Sequence, residues 1–121
     1  MINGAHVILY TTDAEADRTF FKDIFGFESV DAGGGWLIFR LPPAEIAFHP
    51  GAESRHELYL MCEDLETTMS ELERKGVVFK GSIDELRWGR LAHIALPGGG
   101  MLGIYQPKHP LPPPLAPITK D

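Results

Sequence analysis

Two segments of the chain share one pattern of apolar and polar positions. Residues 6–13 and residues 57–64 are both strand-like apolar runs that end at an acidic or hydroxyl-bearing helix-start signal, about 51 residues apart. A helical stretch follows each run and is expected to stop at a glycine, Gly26 in the first copy and Gly76 in the second. This self-similarity predicts two copies of one structural unit that pack together, because neither copy can bury its apolar face alone.

The remaining strands are predicted from β-branched and aromatic runs bounded by glycine and proline. In the first copy the strands are expected at 5–11, 28–31, 36–41 and 45–49. In the second copy the first strand is expected to begin near Glu57, and the others are expected at 77–80, 91–96 and 101–106. Thr12 and Glu15 form a capping-box pattern that opens the first helix, and Asp64 is the expected N-cap of the second.

Each copy therefore reads strand–helix–strand–strand–strand, and eight strands with two helices predict an α+β domain. We expect a curled mixed sheet with a concave cavity and with the helices on its outer face. A single domain at 1–121 would contain unit one at 4–50, unit two at 56–107 and a tail at 108–121. Six prolines from Pro107 onward exclude a helix or a central strand from the tail, which is expected to be extended, either packed over the body or disordered.

Composition and charge narrow the classes of partner. The net charge of -6 argues against a nucleic acid or an anionic membrane surface. No apolar run approaches the roughly 18 residues that a membrane-spanning helix needs, and the N-terminus lacks an export-signal pattern. The single cysteine, Cys62, cannot form an internal disulfide and fits a reducing compartment. The sequence thus predicts a cytoplasmic protein with a small-molecule partner.

Local strings add a family resemblance to this pattern. They are FFKDIFGF at 20–27, EDL at 63–65, ELERKGV at 71–77, WGR at 88–90, LPGGG at 96–100 and IYQP at 104–107. In this order, on a duplicated scaffold, they resemble the vicinal oxygen chelate superfamily, also called the glyoxalase/bleomycin-resistance/dioxygenase fold. The resemblance covers about residues 4–107 and implies paired βαβββ units. The fold hosts isomerases, epimerases, dioxygenases, thiol transferases and drug-sequestering proteins, so it does not fix one function.

Metal-dependent members of that superfamily place one ligand on the first and last strand of each unit. Carried over position by position, the resemblance implies His6, Glu45 and Glu57 as ligands of a divalent metal such as Zn, Ni, Mn or Fe. His49 is an alternative ligand on the closing strand of unit one. The fourth position falls on Gly103, which has no donor, so the ligand set is incomplete and the metal stays an open question.

The cavity is also expected to present aromatic and polar side chains, a usual composition for a small-molecule site. Strand alternation places Tyr10 beside His6, and it turns His56 away from the face that carries Glu57. Core packing is the alternative role for each aromatic residue, and surface pairing is the alternative for Arg40. The predicted ligand pocket consists of His6, Tyr10, Trp36, Arg40, Glu45, Glu57, Tyr59, His93 and Tyr105.

Two functions remain open from the sequence. The first is a glyoxalase-like lyase, isomerase or dioxygenase whose divalent metal binds adjacent oxygens of a small oxygen-rich substrate. The second is a metal-free small-molecule or antibiotic-binding protein of the bleomycin-resistance type, which the missing donor at Gly103 favours. The resemblance also implies a homodimer. No pattern typical of nucleophilic catalysis is present, and no catalytic residue is assigned.

Overall fold

The computed structural model describes residues 6–48, 50, 52–53 and 55–113. The first unit contains a helix, which runs directly into a π-helical turn, and two short strands: α1 (Ala14–Phe20), the turn at Phe21–Phe25, β1 (Ser29–Asp31) and β2 (Leu37–Phe39). The second unit contains a strand, a helix and three longer strands: β3 (Tyr59–Met61), α2 (Leu65–Arg74), β4 (Phe79–Glu85), β5 (Gly89–Ala95) and β6 (Met101–Pro107). None of the described helices has the length and apolar character needed to cross a membrane.

The second unit has the strand–helix–strand–strand–strand order that the sequence predicts. Its four strands form a mixed sheet in the order β3-β6-β5-β4, with β3 parallel to β6 and the other pairs antiparallel. Asp64 caps α2 by accepting a hydrogen bond from Thr67 N at 3.0 Å, and the helix is followed by Gly76 with φ 90°. The α+β fold class predicted from the sequence is confirmed, with α2 packed on one face of this sheet.

The first unit differs from its prediction in two strands. β1 and β2 pair as an antiparallel hairpin, but the described parts of 5–11 and 45–49 contain no strand. Ala5 and His49 lie outside the described residues. A strand needs a neighbour for its backbone groups, and the described part of the chain pairs no strand with these two segments. Within its described residues the chain therefore has one sheet of two strands and one of four, rather than eight paired strands.

The core lies between the helices and one face of the larger sheet. Alternation along β5 and β6 points Ala92 and Ile94, and Leu102 and Ile104, to this face. Ile94 and Leu102 are fully buried, as is Leu65 at the start of α2. The opposite face, which we call the inner face, carries the alternate residues of β5 and β6 and is where the sequence places the cavity.

The helix of unit one is held against the turn between β5 and β6. Thr12 Oγ1 donates a hydrogen bond to the Gly98 carbonyl at 2.8 Å, and Gly98 N donates to Asp17 Oδ1 at 2.7 Å. A Cβ atom at Gly98 would collide with Thr11 Oγ1, so the close approach needs glycine. The capping-box prediction is thus corrected: Thr12 bonds to the turn, and Asp13 caps α1 by accepting from Ala16 N at 3.1 Å.

A group of surface ion pairs joins α2, β4 and β5. Arg90 lies 2.6 Å from both the Glu66 and the Glu85 carboxylates, and Lys108 lies 3.2 Å from Glu85. The hydrogen bonds from Arg90 hold the pKa values of the Glu66 and Glu85 carboxyls below their usual value. Arg90 is therefore committed to this network rather than available to a bound anion.

Replacing Arg90 with glutamine is expected to lower the melting temperature at pH 7 but not in strong acid. Carboxyls with a lowered folded-state pKa stabilise the fold above their ordinary value of 4.5, and this contribution is lost as the pH falls through the folded-state pKa. Melting curves by circular dichroism at pH 7, 5 and 3 should show the difference between the proteins shrinking below pH 4.5. Arg87→Gln, at an exposed arginine of the same hairpin, is the control. A difference that stays constant with pH would contradict this assignment.

Candidate functional site

Two residues of the predicted pocket and the expected fourth ligand position meet at the centre of the inner face. The register places Tyr59 on β3 opposite Gly103 on β6, and Gly103 opposite His93 on β5. Neighbouring strands in a sheet are about 4.8 Å apart, so these three positions form one row across the sheet. Leu91 on β5 and Tyr105 on β6 are also register partners. Alternation places this pair on the same face as His93 and Gly103.

A cavity of about 160 Å³ opens over this row. It brings together Glu57, Tyr59 and His93 of the predicted pocket, together with Gly103. The complete lining is Leu9, His56, Glu57, Leu58, Tyr59, His93, Met101 and Gly103.

Besides Gly103, four lining residues were not in the predicted pocket: Leu9, His56, Leu58 and Met101. Alternation assigns Leu9 and His56 to the opposite face, but residues 6–10 and 55–58 are not in strands, so the two-residue period does not govern them. Met101 lies two residues before Gly103 on β6, so the same-face rule could have found it from the sequence.

Tyr59 and Glu57 form a polar pair at the cavity. Burial, the Glu57 charge and a hydrogen bond to Glu57 raise the pKa of the Tyr59 phenol, which therefore stays protonated and able to donate at neutral pH. Arg55 Nη1 lies 3.8 Å from Glu57 Oε2, and both side chains are exposed. An exposed pair at this distance interacts weakly, so Glu57 keeps acceptor capacity for a ligand.

Both inner-face tyrosines lie over glycines. A Cβ atom at Gly103 would collide with the Tyr59 ring, and one at Gly89 would collide with the Tyr105 ring. An aromatic ring that covers a glycine on a neighbouring strand is a known device for stabilising a sheet. The two rings are therefore held close to the sheet backbone.

Aromatic rings surround Tyr105 beyond the cavity. Its ring centroid is 6.2 Å from Tyr59, 5.2 Å from Trp88 and 5.8 Å from His109. The Tyr105 hydroxyl donates a hydrogen bond to the Trp88 carbonyl at 3.1 Å. Tyr105 is consequently buried, and its pKa is raised by that burial and by the Glu45 charge. Tyr105 does not line the cavity, but its ring packs near the Tyr59 ring that does.

The start of the tail packs over the body, one of the two alternatives that the prolines left open. Lys108 N donates to the Trp88 carbonyl at 2.9 Å, and Lys108 Nζ donates to the Leu86 carbonyl at 3.1 Å. His109 Nε2 lies 3.3 Å from Glu45 Oε2. Residues 114–121 lie outside the described residues. Glu45 therefore pairs with the tail near Tyr105 and does not line the cavity.

The other four predicted pocket residues are not among those lining the cavity. His6 and Tyr10 are exposed, Tyr10 by 93%. The Arg18 guanidinium of α1 lies 4.6 Å from the Trp36 ring, which associates Trp36 with the helix. Arg40 is exposed beside β2, where its backbone N–H bonds to the Glu28 carbonyl at 2.8 Å.

The residues present do not fit a four-ligand metal site. Among the described residues no group of three or more His, Cys, Asp and Glu side chains lies close enough to hold a metal ion. Of the implied set, Glu57 lines the cavity, Glu45 pairs with His109 and His6 is exposed. The space above the fourth position, Gly103, is filled by the Tyr59 ring.

A wider and more open groove of about 520 Å³ runs along α1. None of the predicted site residues lines it. Its lining combines an acidic rim with an apolar floor: Asp13, Glu15, Ala16, Thr19, Phe20, Asp23, Ile24 and Pro97. Acidic residues without a second sign of a ligand do not define a site, so the smaller cavity on the inner face is the better candidate.

No family model and no curated protein matches the sequence. Solved structures do match. TnmS3, an antibiotic binding protein from Streptomyces sp. CB03234, has a TM-score of 0.60 and 24% identity, and the match covers 89% of this chain and 100% of the other. Lactoylglutathione lyase from Agrobacterium tumefaciens has a TM-score of 0.64 and 17% identity over 86% of this chain and 92% of the other.

A third match names the superfamily itself. A member of the glyoxalase/bleomycin resistance protein/dioxygenase superfamily from Sphaerobacter thermophilus has a TM-score of 0.60 and 19% identity, covering 87% of this chain and 98% of the other. At these identities the likeness is one of fold. The chain has the vicinal oxygen chelate fold, and the resemblance drawn from its local strings is confirmed at that level.

Proposed function

We propose that this protein binds a small molecule in the cavity on its inner face without the help of a metal. The observation that carries the proposal is the cavity floor, where the Tyr59 ring fills the room above Gly103 and faces His93 across the row. TnmS3, which shares the fold at 24% identity, is by its name an antibiotic binding protein. That name supports a binding role. The cavity has aromatic, apolar and charged side chains that could contact a small molecule.

The cavity's lining indicates the class of ligand. Tyr59, Leu9 and Met101 offer an aromatic ring and apolar contacts, while the Glu57 carboxylate accepts hydrogen bonds. A planar ring with a positive charge or a hydrogen-bond donor directed at Glu57 fits this arrangement. The volume of about 160 Å³ is below the roughly 300 Å³ at which drug-sized sites begin. The cavity therefore takes one ring, and the rest of a larger ligand extends outside it.

Binding of proflavine, a planar aromatic cation, tests the proposal. We expect saturable quenching of dye fluorescence by the wild-type protein, unchanged after chelator treatment and desalting. Glu57→Gln should weaken binding about 10-fold or more, because it removes the charge from a charge-assisted hydrogen bond. Glu63→Gln, at an exposed carboxylate just after β3, should bind like wild type. Absence of saturable binding, or equal affinities in the two variants, would contradict the proposal.

The metal-dependent enzyme, the other function predicted from the sequence, needs donors that the described residues do not bring together. The lyase from Agrobacterium tumefaciens shares the fold at 17% identity, which carries no activity to this chain. The proposal therefore includes no metal and no reaction. A cytoplasmic location stays a prediction from the single cysteine.

We also infer that two copies of the chain form a homodimer through unit one. In residues 6–10 and 45–48 of that unit, four large apolar side chains are more than 60% exposed: Ile8 by 62%, Tyr10 by 93%, Ile46 by 80% and Phe48 by 88%. They lie in the two segments for which the sequence predicts strands and the described structure has none. A second copy would cover this apolar surface and offer strand partners. Leu9, in the first of these segments, lines the cavity, so pairing there would steady one cavity wall.

A further inference from the structure

Position 103 lies at the middle of the cavity floor. Its neighbours across the sheet are Tyr59 on one side and His93 on the other, and Glu57 lines the same cavity. A side chain at this position would enter the volume that the Tyr59 ring fills, on the same face as the imidazole of His93. The residue type at 103 therefore decides which chemical groups face a ligand at the floor of the cavity.

Backbone conformation does not explain the glycine at this position. Gly103 is absent from the glycines with a positive φ angle, so its backbone is accessible to any residue. Side-chain crowding does explain it. A Cβ atom at 103 would collide with Tyr59 Cδ1, would lie 2.7 Å from Tyr59 Cε1, and would lie 3.1 Å from Leu91 Cδ1 on the other side.

We propose that Tyr59 and Gly103 form a matched pair that determines the specificity of the cavity. The Tyr59 ring takes the volume that a donor side chain at 103 would need. The pair thereby presents an aromatic surface where a side chain at 103 would otherwise stand near Glu57 and His93. This inference rests on the proposed binding function and deepens it. It names the two residues that make the cavity prefer an aromatic ligand to a metal ion.

Reversing the pair tests the inference, with Co²⁺ alone as the probe. Wild type, Tyr59→Ala and Gly103→Glu are compared with the double variant Tyr59→Ala/Gly103→Glu by visible absorption and calorimetry. We expect only the double variant to bind Co²⁺, at about one ion per chain and at least about 100-fold more tightly than wild type, because it places a carboxylate beside Glu57 and His93. Adding His93→Ala should weaken that binding about 10-fold or more, since it removes one of the three donors.

A thermal measurement covers the case in which the double variant does not fold. Gly103→Ala should lower the melting temperature clearly in wild type, where the added methyl meets the ring, and much less in the Tyr59→Ala background. Equal destabilisation in both backgrounds would overturn the matched pair. So would a folded double variant that does not bind Co²⁺, or a wild type that binds it as tightly.

The two proposals fail separately. Proflavine binding by wild type tests the binding function, whereas Co²⁺ binding by the double variant and the melting comparison test the pair. A wild type that does not bind proflavine, combined with the expected Co²⁺ result, would refute the binding function and leave the pair in place. The opposite combination would refute the pair alone.

Discussion

Replacing Ile94 with alanine is expected to lower the free energy of unfolding by about 3 kcal/mol. Ile94 lies in β5 between its register partners Leu102 on β6 and Phe79 on β4, and its side chain is fully buried in the core. Truncation removes buried methyl and methylene groups and leaves a cavity that close-packed neighbours cannot fill without shifting. Because the inner-face residues of β5 stand on the same strand, a loosened core should also loosen the row at His93.

Urea unfolding followed by circular dichroism measures this effect as a lower midpoint at an unchanged slope. Val78→Ala is the matched control, because Val78 is an aliphatic residue that is 63% exposed just before β4. The control should change the free energy of unfolding by less than about 0.5 kcal/mol. Similar midpoint shifts in the two variants would show that the core does not lie where these strands place it.

Replacing Phe48 with aspartate is expected to convert the proposed dimer to a monomer. Phe48 is 88% exposed in the single chain and lies within the apolar surface of unit one. A stable interface buries about 800 Å² on each partner, with most of the binding energy in a few large side chains. Burying an unpaired carboxylate at such a position costs several kcal/mol, enough to dissociate a dimer at micromolar concentration.

Sedimentation velocity on wild type and variant measures the change in mass directly. Val78→Asp introduces the same charge at an exposed apolar residue of unit two and should remain dimeric. A monomeric wild type would refute the dimer. A Phe48→Asp protein that stays dimeric would show that two copies meet through another surface.

Local sequence patterns were sufficient to predict the order of elements in the second unit and the α+β fold class. Asp64 and Gly76 delimit α2 because a capping carboxylate and a glycine free to adopt positive φ act on their immediate neighbours. The alternation along β5 and β6 identifies one buried and one inner face, since side chains in a strand point to opposite sides in turn. These are short-range rules, and a single sequence carries them completely.

Outside the strands those rules no longer apply, and the cavity's membership changes as a result. Leu9 and His56 lie in segments without a strand, so alternation misassigned both. Glu45 has the residue type and approximate place of a metal ligand, yet a tail residue 64 positions later pairs with it instead. Charge and residue type cannot show which of several distant partners a carboxylate meets.

Gly103 is the clearest case in which the sequence and the tertiary structure give different information. The sequence shows that no donor stands at this position. Only the tertiary structure shows why, because the Tyr59 ring that fills the space comes from a neighbouring strand more than 40 residues away along the chain. Local propensity and periodicity act within a few residues, whereas the shape of a cavity depends on strand register and on side-chain volumes brought together by the fold.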